Sequence, residues 1–430
     1  MVSTTPFEDS YSKAESPASQ HIMPSLLQIN VTANWGSHGR IAEEIGRLAI
    51  SEGWESFIAY GRGEPSSESN LIKIGGKESM YINALKARLF DNEGLNAKAD
   101  TERLIKEIDR IKPDIVHLHN IHGYYLHYPT LFNYLKDKNL PTVWTLHDCW
   151  TFTGHCSHFE LVGCEKWKSG CHGCPQLKEY PKSFGFDGSE RNYWLKKEYF
   201  TSLQRLTLVP VSEWLGNLLS SSFFGQKDRI VIRNGIDTDI FNLNTSQAET
   251  RLRMGCQPTR HLILGVASVW TKRKGFHDFI KLRNLLSEDE FEIMMIGLTK
   301  KQIDELPQGI KGICRTNDIH EMAEIYSAAD VFVNPTYEDT FPTTNLEALA
   351  CGTPVVTYNT GGSPEAIDSE TGAVVEQGNV RQLKDAVIQI CQADGDSYRQ
   401  KCRARAVSLF DKRDRYQDYL RLYDNILSGK

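Results

Sequence analysis

Three consecutive cations, Lys272-Arg273-Lys274, stand just before Gly275-Phe276, beyond the apolar run HLILGVAS (261–268). Fixed cations beside the first N–H groups of a helix make a cradle for a diphosphate, because both favour an anion. Most charge runs are solvated turns, but a position at the end of a strand favours the anion reading here. A second segment, YEDTFPTTNLEALACGTP (337–354), follows the apolar run DVFVNP (330–335). Its acids Glu338, Asp339 and Glu347 can accept hydrogen bonds from sugar hydroxyls. The amides around Phe341, Thr343 and Thr344 open a short helix able to hold phosphate. Thr344-x-x-Glu347 also spells a capping box, in which the glutamate turns back to its own helix start and binds nothing else. On this segment alone the capping box is the stronger reading.

The first half of the chain offers three further groups. Ala33-Asn34-Trp35-Gly36-Ser37-His38-Gly39-Arg40 links a strand to a helix, and Gly36 and Gly39 would let the backbone approach an anionic ligand. The loop is neither a GxGxxG nor a Walker A motif, which argues against a dinucleotide or an ATPase. Eight of the 13 His lie between His117 and His172. His117 and His119 share one face of a strand by the period of two, and His119, nearer the strand's C-terminal end, is the better candidate for a site. A strand histidine is more often a satisfied core residue, and His117 suits that description. Finally, Cys156, Cys164, Cys171 and Cys174 form C-x7-C-x6-C-x2-C. Four close thiols with one CxxC pair fit a structural zinc knuckle. Plain buried thiols, a disulfide pair and an iron–sulfur cluster are open alternatives.

Two series of strand and helix signals must position these residues. The first has strands at SLLQINV (25–31), WESFIAYG (54–61), DIVHLHN (114–120), PTVWTLHD (141–148), LTLVPVS (206–212) and RIVIRNG (229–235). The second has HLILGVAS, FEIMMIGL (291–298), IKGICR (310–315), DVFVNP, TPVVTYN (353–359) and GAVVE (372–376). Strand–helix alternation predicts an α/β fold of parallel sheets covered on both faces. Two such series imply two Rossmann-like, doubly wound domains facing across a cleft, with ligands beyond the C-terminal strand ends. The expected division is a disordered tail at 1–21, a first domain at 22–240 with a Cys-rich insert at 149–175, and a linker at 241–260. A second domain at 261–410 and a C-terminal helix at 411–430, packing back on the first domain, complete it. Tyr416, Leu420, Tyr423 and Leu427 mark one stripe of that helix.

The 430 residues include 49 Lys and Arg against 55 Asp and Glu, a net charge of −6, with 40% hydrophobic and 24% charged residues. This is a globular composition, and its mild acidity argues against nucleic acid as a partner. No apolar run approaches the length of a membrane span, and the opening MVSTTPFEDSYSKAESPASQ lacks the apolar core of a secretory signal. A cytoplasmic location with reduced cysteines is expected.

Together, RKGFHDFI (273–280), the Asn234-Gly235-Ile236-Asp237 turn with Phe241 behind it, and EDTFPTTNLEALACGTPVV (338–356) resemble family-4 glycosyltransferases of the two-domain GT-B fold. The insert HDCWTFTGHC…GC…GCHGCP is similar to that of colanic-acid-type exopolysaccharide transferases. The resemblance runs from about Leu26 to Leu427. It implies a UDP- or GDP-sugar donor held mainly by the second domain and a saccharide or lipid-linked oligosaccharide acceptor held by the first. By the same resemblance, Lys274 and Arg273 hold the diphosphate, Glu347 the ribose hydroxyls, and Phe341–Thr344 the phosphates and sugar. Gly36 and Gly39 close from the other domain, and His119 stands near the transferred sugar. The family's acidic pair is E-x7-E, and counting back from Glu347 gives Asp339. Either Asp replaces Glu, or Glu338 takes the role through a bulge. An arginine frequent in the family is here Ser268, which moves weight onto Arg273 and Lys272.

The resemblance implies transfer with retention of anomeric configuration and no catalytic metal, the leaving diphosphate being stabilised by positive side chains and helix dipoles. Asp237-Thr238-Asp239 is a literal DxD but lies in the interdomain turn, where it reads as structural. The segment KESMYINALKARLF (77–90) mixes apolar and basic residues suited to anionic lipid, giving peripheral contact with the inner face of the membrane. A packed amphipathic helix is the stronger reading of it. Rival functions are a nucleotide-sugar 2-epimerase, whose acid–base carboxylates are not evident, and a non-catalytic sugar-nucleotide-binding protein. A zinc hydrolase is weaker still, since four thiolates leave no open coordination position.

Overall fold

The computed structural model describes residues 23–243 and 246–429; the expected tail lies outside them. Seven strands form the first sheet: β1 (Ser25–Thr32), β2 (Glu55–Arg62), β3 (Asn70–Lys73), β4 (Ile115–Leu118), β5 (Thr142–Leu146), β6 (Leu206–Pro210) and β7 (Asp228–Arg229). The second has six: β8 (His261–Val266), β9 (Phe291–Ile296), β10 (Ile310–Ile313), β11 (Val331–Asn334), β12 (Val355–Tyr358) and β13 (Gly372–Val375). The orders are β3-β2-β1-β4-β5-β6-β7 and β10-β9-β8-β11-β12-β13, and every pairing is parallel. Each sheet therefore reverses its winding beside its first strand, at β1/β4 and at β8/β11. The crevice outside such a switch point is where these sheets bind ligands.

Central strands such as FEIMMI are buried along their whole length because helices cover both faces. Two elements depart from the sequence pattern. β3 is four residues long and mostly exposed, too short and polar to carry a strand signal. The expected strand 229–235 is paired only at Asp228–Arg229, although Ile230 N still donates to Leu208 O at 3.0 Å and Ile232 N to Pro210 O at 3.3 Å. Pro210 has no N–H to return, so the ladder cannot continue in full.

Residues 246–260 do not hang free between the sheets. Helix Gln247–Arg253 lies on the second domain, where Arg251 pairs with Asp330 at 2.7 Å and Gln247 Nε2 donates to Ser327 O at 2.9 Å. The chain returns at Ile236 N→Phe410 O (2.7 Å) and Lys412 N→Ile236 O (2.9 Å). Lys412 Nζ reaches both Asp237 and Glu44 at 2.7 Å, so the first acid of Asp237-Thr238-Asp239 belongs to this crossover. Helix Lys412–Ser428 then packs Tyr416, Tyr419, Leu420 and Tyr423 against Leu26, Ile41, Ile45 and Val143 of the first domain. Leu427, expected on that stripe, is exposed, and Tyr419 takes its place.

Helix Lys77–Phe90 differs from the packed helix favoured by its sequence. Only Asn83 and Ala87 are buried, while Tyr81, Ile82, Leu85, Leu89 and Phe90 are exposed. Phe184 and Phe186, also exposed, lie on a segment tied to it by Phe184 N→Arg88 O at 2.7 Å. Among the described residues no helix is long and apolar enough to cross a membrane.

Candidate functional site

The basic run folds as a single 3-10 turn, Lys272–Lys274, between β8 and helix Phe276–Leu285. Gly275 ends it at φ +75°, and a Cβ there would stand 2.2 Å from Pro335 O. Only glycine lets this turn lie so close to the end of β11. Lys272 and Ser268 face solvent. Arg273 instead turns inward, donating from Nη1 to Glu338 O at 3.1 Å, and Lys274 forms an ion pair with Asp339. That ammonium holds the Asp339 carboxyl below the usual carboxylate range against the opposing effect of burial.

Glu338 and Asp339 thus part company. Asp339, eight positions before Glu347, meets the cation. Glu338 points the other way, where its Oε1 accepts from Leu161 N of the Cys-rich insert at 2.8 Å. Its carboxyl is pushed up by burial.

The capping-box reading of Glu347 fails. Helix Thr343–Ala350 begins after Pro342, no side chain caps it, and Glu347 sits in its second turn. Glu347 Oε2 accepts from the Tyr326 hydroxyl at 2.8 Å. Burial raises the carboxyl, while Tyr326 and the Arg40 guanidinium draw it back. Arg40 belongs to helix Gly36–Ser51 of the first domain, so this charge acts across the cleft. Thr343 and Thr344 are the first two residues of the uncapped helix, and Phe341 is buried, its carbonyl bound by Asn234 Nδ2 at 3.1 Å. Thr340 Oγ1 donates to His147 O at 2.7 Å, holding the loop after β11 against the C-terminal end of β5.

On the first domain Gly36 and Gly39 do different work. Gly36 adopts φ +70° with open space around it, whereas a Cβ on Gly39 would lie 2.6 Å from Thr32 Oγ1. Gly39 therefore permits close helix–strand packing, and only Gly36 leaves room for a ligand.

His119 does not present a free nitrogen. It is 1% exposed, with Nε2 3.0 Å from Gln28 Oε1 and Nδ1 3.2 Å from His147 Nε2. Burial holds it well below the ordinary histidine value, so it stays neutral. His117 is likewise enclosed, between Thr145 Oγ1 (2.8 Å) and Tyr423 OH (2.7 Å). Alternation correctly places both rings on one face, but β4 lies mid-sheet, where both faces are covered.

The four insert thiols converge on one cavity of about 10 Å³, which His155 and His172 also line. Gly154 N donates to Cys171 Sγ at 3.1 Å, and the Cys156 thiol holds Cys174 low while rising itself. All ten cysteines are free thiols. Among the described residues no three His, Cys, Asp or Glu side chains form a group ready to hold a metal ion. The zinc expectation thus has shared walls but not a formed coordination sphere.

Two site residues escaped the sequence reading, which took the insert only for its thiols. His158 and Glu160 project between the domains: Arg273, Lys274 and Asp339 act on the His158 ring, and Glu338 and Asp339 on the Glu160 carboxyl. The only local signal was their position between Cys156 and Cys164. Arg40 was also missed, although it ends the glycine loop.

Comparison with known proteins agrees with this architecture. The family model "Glycosyltransferase Family 4" matches residues 39–240, and "Glycosyl transferases group 1" matches residues 260–393. The putative colanic acid biosynthesis glycosyl transferase WcaC of Escherichia coli K12 is 24% identical over 425 residues, covering 94% of this chain and 100% of its own. Sucrose-phosphate synthase from Thermosynechococcus elongatus superposes with a TM-score of 0.70 at 17% identity, covering 95% of this chain and 100% of its own. Anabaena HepE, in complex with UDP and glucose, superposes with a TM-score of 0.65 at 12% identity, covering 94% and 100%. Two doubly wound parallel sheets, cations and acids gathered at their facing switch points, and these matches over both halves place the chain in glycosyltransferase family 4, with the GT-B fold.

Proposed function

We propose that the protein moves a hexosyl group from a UDP- or GDP-sugar to a saccharide or lipid-linked oligosaccharide acceptor, in the synthesis of a bacterial exopolysaccharide, capsule or lipopolysaccharide. The observation that carries this reading is the set Arg273, Lys274, Asp339 and Glu347 around the uncapped helix Thr343–Ala350, faced by Arg40 and Gly36. Lys274 and Arg273 hold the diphosphate, the open helix start adds its dipole, and Glu347 takes the ribose hydroxyls. On donor binding, Lys274 exchanges Asp339 for phosphate, which frees Asp339 for the sugar. These cations stabilise the departing diphosphate in place of a divalent ion, and transfer proceeds with retention. His119 has no open nitrogen, so no proton is routed through it. The relatives named for colanic acid and for capsular polysaccharide synthesis in Staphylococcus aureus support the polymer-building context.

A thermal-shift panel of nucleotide sugars tests the donor site. A ligand at 100 times its dissociation constant stabilises by about 2.7 kcal/mol, a shift of several degrees. Transfer with the responding donor is expected to survive EDTA and to give a product of unchanged anomeric configuration. No shift with any UDP- or GDP-sugar, or an inverted product, defeats the proposal.

The exposed apolar face of helix Lys77–Phe90, with Lys77, Lys86 and Arg88 on the same helix, supports peripheral contact with an anionic membrane. Liposomes containing phosphatidylglycerol are expected to float the protein, and Leu85→Glu/Phe90→Glu to leave it at the bottom. Equal sedimentation of both proteins would remove this contact.

A further inference from the structure

The Cys-rich insert does more than fold around its thiols. Between Cys156 and Cys164 it crosses to the second domain, where Leu161 N donates to Glu338 Oε1 at 2.8 Å and the backbone N–H of Gly361 draws on the neighbouring Glu160 carboxyl. Gly361 lies just beyond β12, at the C-terminal edge of the second sheet, and its ideal Cβ would stand 1.8 Å from Asp339 O. Two glycines, Gly361 and Gly362, therefore press the loop after β12 against the loop carrying Asp339 and Thr340.

The three carboxyl groups gathered there are not equivalent. Asp339 has Lys274, and Glu338 has the insert's backbone. Glu160 Oε2 is sealed from solvent with no partner. His158 Nδ1, two residues earlier, is in the same condition. Buried polar atoms without partners cost stability, so their persistence beside a cationic turn calls for an occupant that completes them.

We propose that Glu160 recognises the sugar portion of the donor, its Oε2 pairing with a ring hydroxyl of the group to be transferred. This rests on the reading of the cleft as a nucleotide-sugar site. The placement selects the donor over the acceptor: Glu160 adjoins Leu161, whose N–H is held by the second domain's Glu338, and its carboxyl feels Asp339, the partner that Lys274 leaves for the diphosphate. Its protonation behaviour agrees. Burial and then Glu338 push the carboxyl up to about 7, so near neutrality it is partly uncharged. A half-neutral carboxyl can donate to or accept from a hydroxyl without strongly repelling a neighbouring phosphate.

The test compares a nucleotide sugar with the bare diphosphate of the same base, using UDP-glucose against UDP and GDP-mannose against GDP on the full-length chain. Glu160→Ala is expected to weaken the nucleotide sugar that wild type binds by about tenfold and to leave the diphosphate within twofold. Glu160→Gln, which keeps the side-chain shape, guards against misfolding and should weaken the sugar by a smaller factor with the melting temperature unchanged. Equal losses for sugar and diphosphate, unchanged affinity for both, or an effect confined to the acceptor KM would each overturn the assignment. A wild-type chain that binds none of the four ligands defeats the nucleotide-sugar reading itself, a result distinct from wild type binding normally and the variants matching it.

Discussion

Lys274→Ala is expected to reduce transfer by about 10²–10³-fold, the range seen when one fixed stabiliser of developing negative charge is removed. The variant also strands Asp339, which lies in a buried setting with Lys274 as its neutralising partner. Leaving a partly buried carboxylate unpaired should lower stability by about 1–3 kcal/mol at pH 7. The sign follows from linkage. In wild type the Asp339 carboxyl is held below its ordinary value, so its contribution is present above the unfolded-state value near 4 and is lost as pH falls through the lower folded-state value. The gap in melting temperature between wild type and variant should therefore be widest near neutrality and close in acid. Lys274→Ala/Asp339→Asn separates the two roles, since it should recover most of the stability and none of the transfer. Thermal melts at pH 7 and at pH 3 or below, with a donor-turnover assay at pH 7, read both quantities. If the double variant regains activity, the ammonium serves only to neutralise Asp339.

Glu347→Ala is expected to lower transfer by at least about 100-fold, as the loss of hydroxyl recognition within a charged site. Its structural cost should be near 1 kcal/mol, because what it removes from the fold is one hydrogen bond from the Tyr326 hydroxyl. No cap is lost, since the helix begins at Thr343 after Pro342. Glu347→Gln retains an acceptor for Tyr326 and should melt like wild type while still binding donor poorly. Full activity in the alanine variant, with only the small loss of stability, would make Glu347 a support for Tyr326 and not a ligand residue.

The contrast between these glutamates and aspartates shows where local patterns carry information. Thr344-x-x-Glu347 satisfies a capping rule written for a helix beginning after Thr344. The helix instead starts at Thr343 behind Pro342, an extended residue with φ −68° and ψ 119°, which moves Glu347 too far along to reach back. A four-residue pattern cannot fix a helix start when a neighbouring proline competes for it. His119 is enclosed for a related reason. Its strand position was legible, but whether that position opens onto a cleft depends on Gln28 and His147, whose side chains arrive from β1 and the end of β5.

From the order of residues alone one can read the two parallel sheets, the cationic turn after β8, the acids after β11 and the glycine loop after β1. These follow from apolar runs, strand–helix alternation and turn chemistry, all of which act over short stretches of chain. Folding in three dimensions selected Asp339 over Glu338 as the partner of Lys274, brought Arg40 toward Glu347 from the other domain, and carried Glu160 to Gly361. Leu161 and Glu338 bond across 177 positions of sequence. No local propensity encodes such a meeting, because it depends on how two separately covered sheets bury their remaining surface against each other.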